Sequence, residues 1–161
     1  MFKHCALTIL LLLPLAQMAL AQTNIALGGI SADPTAPVEV TADSLNVDQD
    51  SKSAVFSGNV VIGQGEMRIS AAEVKVVYSE ATGDIAQLLA SGGVTFVTAT
   101  EAAEAQTADY NLTTGLLTLT GEVLLTQGAS ALSADSMVVN LTDGTATMQG
   151  RVRTVFQQGN P

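Results

Sequence analysis

The sequence predicts an all-β fold, an antiparallel jellyroll or roll built from about four strand-turn-strand repeats. Three observations carry that expectation. From Val38 onward, Val, Leu, Ile, Thr and Ala alternate with polar residues, the period-two signature of strands buried on one face. Turn signals interrupt the alternation at Asp48-Gln49-Asp50-Ser51, Thr82-Gly83-Asp84, Thr113-Thr114-Gly115 and Thr142-Asp143-Gly144, the spacing of many short antiparallel strands. Finally, a pattern recurs: Ser57-Gly58-Asn59-Val60, Ser91-Gly92-Gly93-Val94, Thr120-Gly121-Glu122-Val123 and Gln149-Gly150-Arg151-Val152, with glycines 34, 29 and 29 residues apart. Such a period marks units that cannot bury an apolar face alone and stack to share one core.

The chain opens with Met1-Phe2-Lys3-His4, continues into an apolar run from Cys5 to Leu15, and reaches the small residues Ala19-Leu20-Ala21. That order predicts a secretory signal peptide over residues 1–21, cleaved after Ala21. The run is short for a spanning helix and carries Pro14 and Gln17, which argues against an uncleaved anchor. Residues 22–37 are polar and small, with Gly28-Gly29, Pro34 and Pro37, and read as a flexible tail. The folded domain is expected over 38–156, and 157–161 as a short C-terminal tail. Ala99 to Ala105 is the one helix-leaning stretch; it is too short to stand as a helix and reads as a hairpin arm or loop.

Within each repeat two kinds of irregularity are expected. The glycines Gly58, Gly92, Gly121 and Gly150 keep the apolar alternation in phase, as in Phe56, Val60 and Ile62 around Gly58. A glycine in a strand interior marks a sharp bend or a close approach, and parity puts these four on the apolar face. Upstream, Thr41-Ala42-Asp43-Ser44 and Ser133-Ala134-Asp135-Ser136, with looser copies at Ser70-Ala71-Ala72-Glu73 and Gln106-Thr107-Ala108-Asp109, shift the alternation by one residue. A one-residue slip turns a strand over unless a bulge or corner absorbs it, so a corner between strands is expected at each.

Composition removes most chemistries. Cleavage after Ala21 takes the only histidine, His4, and the only cysteine, Cys5, and the chain has no Trp. Triads using His or Cys, zinc sites built from them and disulfides are then excluded from the mature chain, and no cofactor or metal is expected. Losing Lys3 leaves five basic against 15 acidic residues, a balance that repels nucleic acid and anionic surfaces. Asp48-Gln49-Asp50-Ser51-Lys52-Ser53 lacks the glycine and glutamate of a calcium loop, with Ser53 and Asn59 in their places, and reads as a hairpin turn. The glycine motifs are followed by strand patterns rather than the helix a phosphate cradle needs. What remains is a large apolar interior, lined by Phe56, Val60, Ile62, Ile69, Val76, Val94, Phe96, Leu112, Leu119, Val123 and Val139. Two readings stay open: a filled core, or a core that opens to hold an apolar ligand.

The glycine-bent strands, the small-acidic corners and the cleavable signal together resemble the OstA-like family, in its lipopolysaccharide-transport members of the LptA type. The resemblance is carried by Val55-Phe56-Ser57-Gly58-Asn59-Val60-Val61-Ile62-Gly63-Gln64-Gly65 with Ile69-Ser70-Ala71, and by Leu117-Thr118-Leu119-Thr120-Gly121-Glu122-Val123-Leu124-Leu125, and it extends over about residues 38–156. It implies a V-shaped antiparallel β-jellyroll in the periplasm that binds the acyl chains of lipopolysaccharide between its sheets. It further implies head-to-tail self-association, stacking with an LptC-like inner-membrane protein and an LptD-like outer-membrane translocon, and no covalent chemistry. Two alternatives remain: an inner-membrane-anchored LptC-like partner, and a polymerising β-solenoid that carries no lipid.

Overall fold

The computed structural model describes residues 23–26, 30, 33 and 35–156; the expected signal peptide and C-terminal tail lie outside them. Thirteen strands are present among the described residues: β1 (Thr23–Ala26), β2 (Glu39–Thr41), β3 (Ser44–Asp48), β4 (Ser53–Gln64), β5 (Met67–Tyr78), β6 (Ile85–Ser91), β7 (Val94–Val97), β8 (Glu101–Ala105), β9 (Thr107–Asn111), β10 (Leu116–Gln127), β11 (Ser130–Asn140), β12 (Thr145–Gln149) and β13 (Arg153–Val155). Every pairing is antiparallel.

Four long strands, β4, β5, β10 and β11, each serve two layers. Their halves pair with different neighbours on either side of a bend. The first layer runs β3, the first half of β4, the second half of β5, β6, β9, the first half of β10, the second half of β11, β12 and β1. The second runs β2, the second half of β4, the first half of β5, β7, β8, the second half of β10, the first half of β11 and β13. The bends form a seam along which the layers join, and the alternating apolar residues of both layers meet in one buried cluster. Because side chains alternate along a strand, the polar residues between them face outward.

The first-layer hairpins share a recipe. The Gly83, Gly115 and Gly144 amides donate to the Ser79, Asn111 and Asn140 carbonyls at 2.8, 2.9 and 2.9 Å. In all three the side chain of that first residue also accepts from the loop: Ala81 and Thr82 N–H to Ser79 Oγ at 3.3 and 3.4 Å, Thr114 N–H to Asn111 Oδ1 at 3.0 Å and Thr142 N–H to Asn140 Oδ1 at 2.9 Å. The Asp48 turn works similarly: its Oδ1 accepts from the Asp50 and Ser51 amides, and these bonds hold its carboxyl below the usual range. Asn and Asp favour such turns because their short side chains satisfy nearby backbone amides.

Two expectations change. Residues 22–37 are not a free tail throughout, since β1 pairs with β12 over Thr23↔Met148 to Ala26↔Thr145 and Ile30 is fully buried. A four-residue edge strand has too little alternation to announce itself; its order comes from the partner strand. And the small-acidic corners separate strands only at Asp43 and Gln106. At Ala72 and Asp135 the chain bends but β5 and β11 continue.

Candidate functional site

The interior between the layers gathers all eleven predicted residues. Phe56, Val76, Leu112, Leu119 and Val139 belong to the first layer; Val60, Ile62, Ile69, Val94, Phe96 and Val123 belong to the second. Nine of them are buried. Phe56 and Leu112 are half-buried and pack on the same cluster. Apolar burial of this kind contributes roughly 25 cal/mol per Å², so it holds the layers together and would equally favour any apolar chain that entered between them.

At one end the interior is open. All five residues of β3 are exposed. Leu45 and Val47 lie opposite Phe56 and Ala54 in register, so they extend the interior wall past its last covered strand; they are 54% and 60% exposed. At the other end the second layer stops at β13, beside which Val152, Val155 and Phe156 are exposed. The first layer is closed there by β1.

A polar connection crosses the interior. The Tyr110 hydroxyl, in the first layer, donates to Gln64 Oε1, in the second, at 2.8 Å. Gln64 Nε2 in turn donates to the Ala36 carbonyl at 3.2 Å. Both side chains are buried, and burial raises the Tyr110 pKa. The bridge lies on the side away from the seam, at the far ends of β9 and β4. Sequence reasoning missed it, although Gln64 sits on the inward parity of Val60 and Ile62: a polar residue in an apolar register is the available signal. Ile30 was missed as well, lying in a segment without periodicity.

The seam glycines have another role than the one parity gave them. Gly58, Gly92, Gly121 and Gly150 all have positive φ, from 76° to 87°, where glycine alone is free of a steric cost. A Cβ on Gly58 would lie 2.5 Å from Asp43 Oδ2, and one on Gly92 would lie 2.6 Å from Ala72 Cβ; on Gly121 and Gly150 it would meet Gln106 and Asp135. Each glycine therefore receives the side chain of the parity-shifting bend on the neighbouring strand, and it does not face the interior. Two kinds of bend alternate down the seam. One offers a side chain, and the other offers a glycine to fit it.

The residue after each glycine is also left-handed: Asn59, Glu122 and Arg151 have φ of 46°, 48° and 45°, and Gly93 takes the same place in the second repeat. These residues clasp the neighbouring bend. Asn59 Nδ2 donates to Asp43 Oδ2 at 2.8 Å, Gln106 Nε2 donates to Glu122 Oε2 at 3.0 Å, and Arg151 Nε and Nη2 donate to Asp135 Oδ1 at 2.9 and 2.6 Å. The Arg151 hydrogen bond holds the Asp135 carboxyl below its ordinary value and raises Arg151. Asn59 is thus tied into the seam.

Comparison with known proteins fits this arrangement. The family described as "LptA/(LptD N-terminal domain) LPS transport protein" matches residues 39–160. An uncharacterized protein of Rhizobium meliloti (strain 1021) is 28% identical over 123 residues, a match that covers 71% of this chain and 66% of that relative's length, so just under two thirds of the relative. Among solved structures, LptH of Pseudomonas aeruginosa, the LptA-homologous periplasmic component of the conserved lipopolysaccharide transport device, superposes with a TM-score of 0.71 at 19% identity, over 79% of this chain and 99% of LptH. At that identity the likeness speaks to the fold, an LptA-like β-jellyroll.

Proposed function

Because the chain belongs to the LptA/LptD N-terminal-domain family of lipopolysaccharide transport proteins, we propose that it holds the acyl chains of lipopolysaccharide between its two layers. On this reading it works in the periplasm after removal of residues 1–21. Copies and like-folded domains stack end to end, LptC-like at the inner membrane and LptD-like at the outer, into a bridge. The observation that carries the reading is the interior itself. It is a single apolar cluster, walled by both layers, that runs out at the N-terminal end into the uncovered Leu45 and Val47.

The chemistry is consistent with such a cargo. Each CH₂ moved from water into this interior is worth about 0.8 kcal/mol, so several acyl chains bind firmly without an ion pair. The phosphates of the lipid stay outside, because the chain is strongly acidic. The layers part on the side away from the seam, where the Tyr110–Gln64 side-chain hydrogen bond spans the interior.

Native mass spectrometry of the chain from Gln22 onward, mixed with extracted lipopolysaccharide, tests the reading. A one-to-one adduct is expected, and it should be lost on introducing a charge at Val60 or Leu119 in variants that keep the β circular dichroism. A chain that never carries lipid yet forms filaments would instead match the filled solenoid. Recovery in the membrane fraction with residues 1–21 attached would match the anchored, LptC-like alternative.

A further inference from the structure

The two layers are unequal by one strand, and the inequality lies at one end. Without β1, each layer has eight strands. β3 and β2 then end the two layers on one side, joined through the Asp43 corner, and β12 and β13 end them on the other, joined through Gly150 and Arg151. β1 adds a ninth strand to the first layer only, pairing solely with β12. It covers the edge of β12 and, among the described residues, leaves the edge of β13 free.

We infer that β1 is a displaceable cap on the β12–β13 end, and that the β2–β3 end of a second copy of this chain takes its place. The inference rests on the end-to-end stacking reading above. Three features favour exchange. The β2–β3 end offers two strands, Glu39–Thr41 and Ser44–Asp48, against the four residues of β1. Level ends allow both layers of one copy to continue into both layers of the next, whereas β1 makes the end a step. The incoming end would also cover Leu45 and Val47, and it would meet the exposed Val152 and Val155. An unpaired edge is an invitation to further strands, and a contact between unlike ends grows without closing. A self-supplied strand that must first leave keeps single copies single. Ile30, buried in the core four residues beyond β1, anchors the cap.

The register supplies a lock. Asn24 lies opposite Thr147, and the chain from Gln22 onward contains no cysteine, so Asn24→Cys with Thr147→Cys adds one disulfide across β1 and β12. Sedimentation velocity over a concentration series would compare the oxidised and reduced forms with Ile25→Pro, which removes an amide from β1, and with Ile30→Asp, which loosens the anchor. The oxidised form should remain single where the reduced form stacks, and both loosened variants should stack at concentrations about tenfold lower. Equal stacking of the oxidised and reduced forms would overturn the cap while leaving end-to-end stacking intact. Failure of the two cysteines to oxidise would overturn the β1–β12 pairing. If no form stacks, loosened variants included, the stacking reading fails and takes the inference with it.

Discussion

The two long sides of the jellyroll are held by different means. Along the seam, four strands pass from layer to layer, and each glycine bend receives a neighbouring side chain, with polar clasps at Asp43–Asn59, Gln106–Glu122 and Asp135–Arg151. On the opposite side, among the described residues, the Tyr110–Gln64 hydrogen bond joins the two layers, with Gln64 held in turn by the Ala36 carbonyl, and apolar side chains of both layers meet in the core. Chain continuity cannot be undone without unfolding, while apolar contact can be exchanged for contact with another apolar group at little cost. On the proposed reading the seam is the hinge side and the opposite side the opening side, and the two should respond differently to mutation.

The largest effect belongs to the seam. Gly121→Val combines a φ of +87° with a Cβ 2.5 Å from Gln106 Oε1, and Gly58→Val does the same against Asp43. Each should cost at least about 2 kcal/mol in urea denaturation. Gly93→Ala is the control: its φ is also +87° but nothing lies within 4 Å, so only the conformational cost of about 1 kcal/mol remains. Equal losses at Gly121 and Gly93 would show that the fit of side chain to glycine contributes nothing.

Next comes the opening side. Tyr110→Phe leaves the buried Gln64 Oε1 without its donor, which should cost about 1–2 kcal/mol. If the layers part here, the same variant should take up lipid faster in a fluorescence-displacement assay, whereas Gly93→Ala should not. A smaller loss, about 1 kcal/mol, is expected for Asn59→Ala, which gives up both the bond to Asp43 and the tolerance of Asn for left-handed backbone.

The smallest effect is at Arg151 and Asp135, both solvent-exposed, where ion pairs contribute little. Asp135 is depressed in the folded chain chiefly by the Arg151 hydrogen bond. The clasp's contribution is therefore present above the ordinary carboxylate pKa of about 4 and fades as pH falls through the folded value. Arg151→Ala should be slightly less stable than wild type at neutral pH and indistinguishable from it in strong acid, by thermal melts across pH.

Much of this was legible because strands write their facing into the sequence. Alternation around Phe56, Val60 and Ile62, or Leu117, Leu119 and Val123, marks the inward side directly, and all eleven residues chosen that way lie in or against one cluster. The glycines were visible as bends. Their direction was not, because parity assumes an extended backbone and two consecutive left-handed residues rotate Cβ away from the interior. The clasps join residues 16 apart, a spacing no local pattern encodes. β1 and Ile30 were hidden for a related reason: an edge strand and an isolated anchor take their order from the partner surface.

The central claim is that acyl chains lie between the layers. Photo-crosslinking amino acids at the half-buried Phe56 and Leu112 and at the exposed, outward Lys75 and Thr95 test it most directly. With lipopolysaccharide present, adducts are predicted at Phe56 and Leu112 and not at Lys75 or Thr95. Adducts confined to the outward positions, or equal at all four, would contradict it.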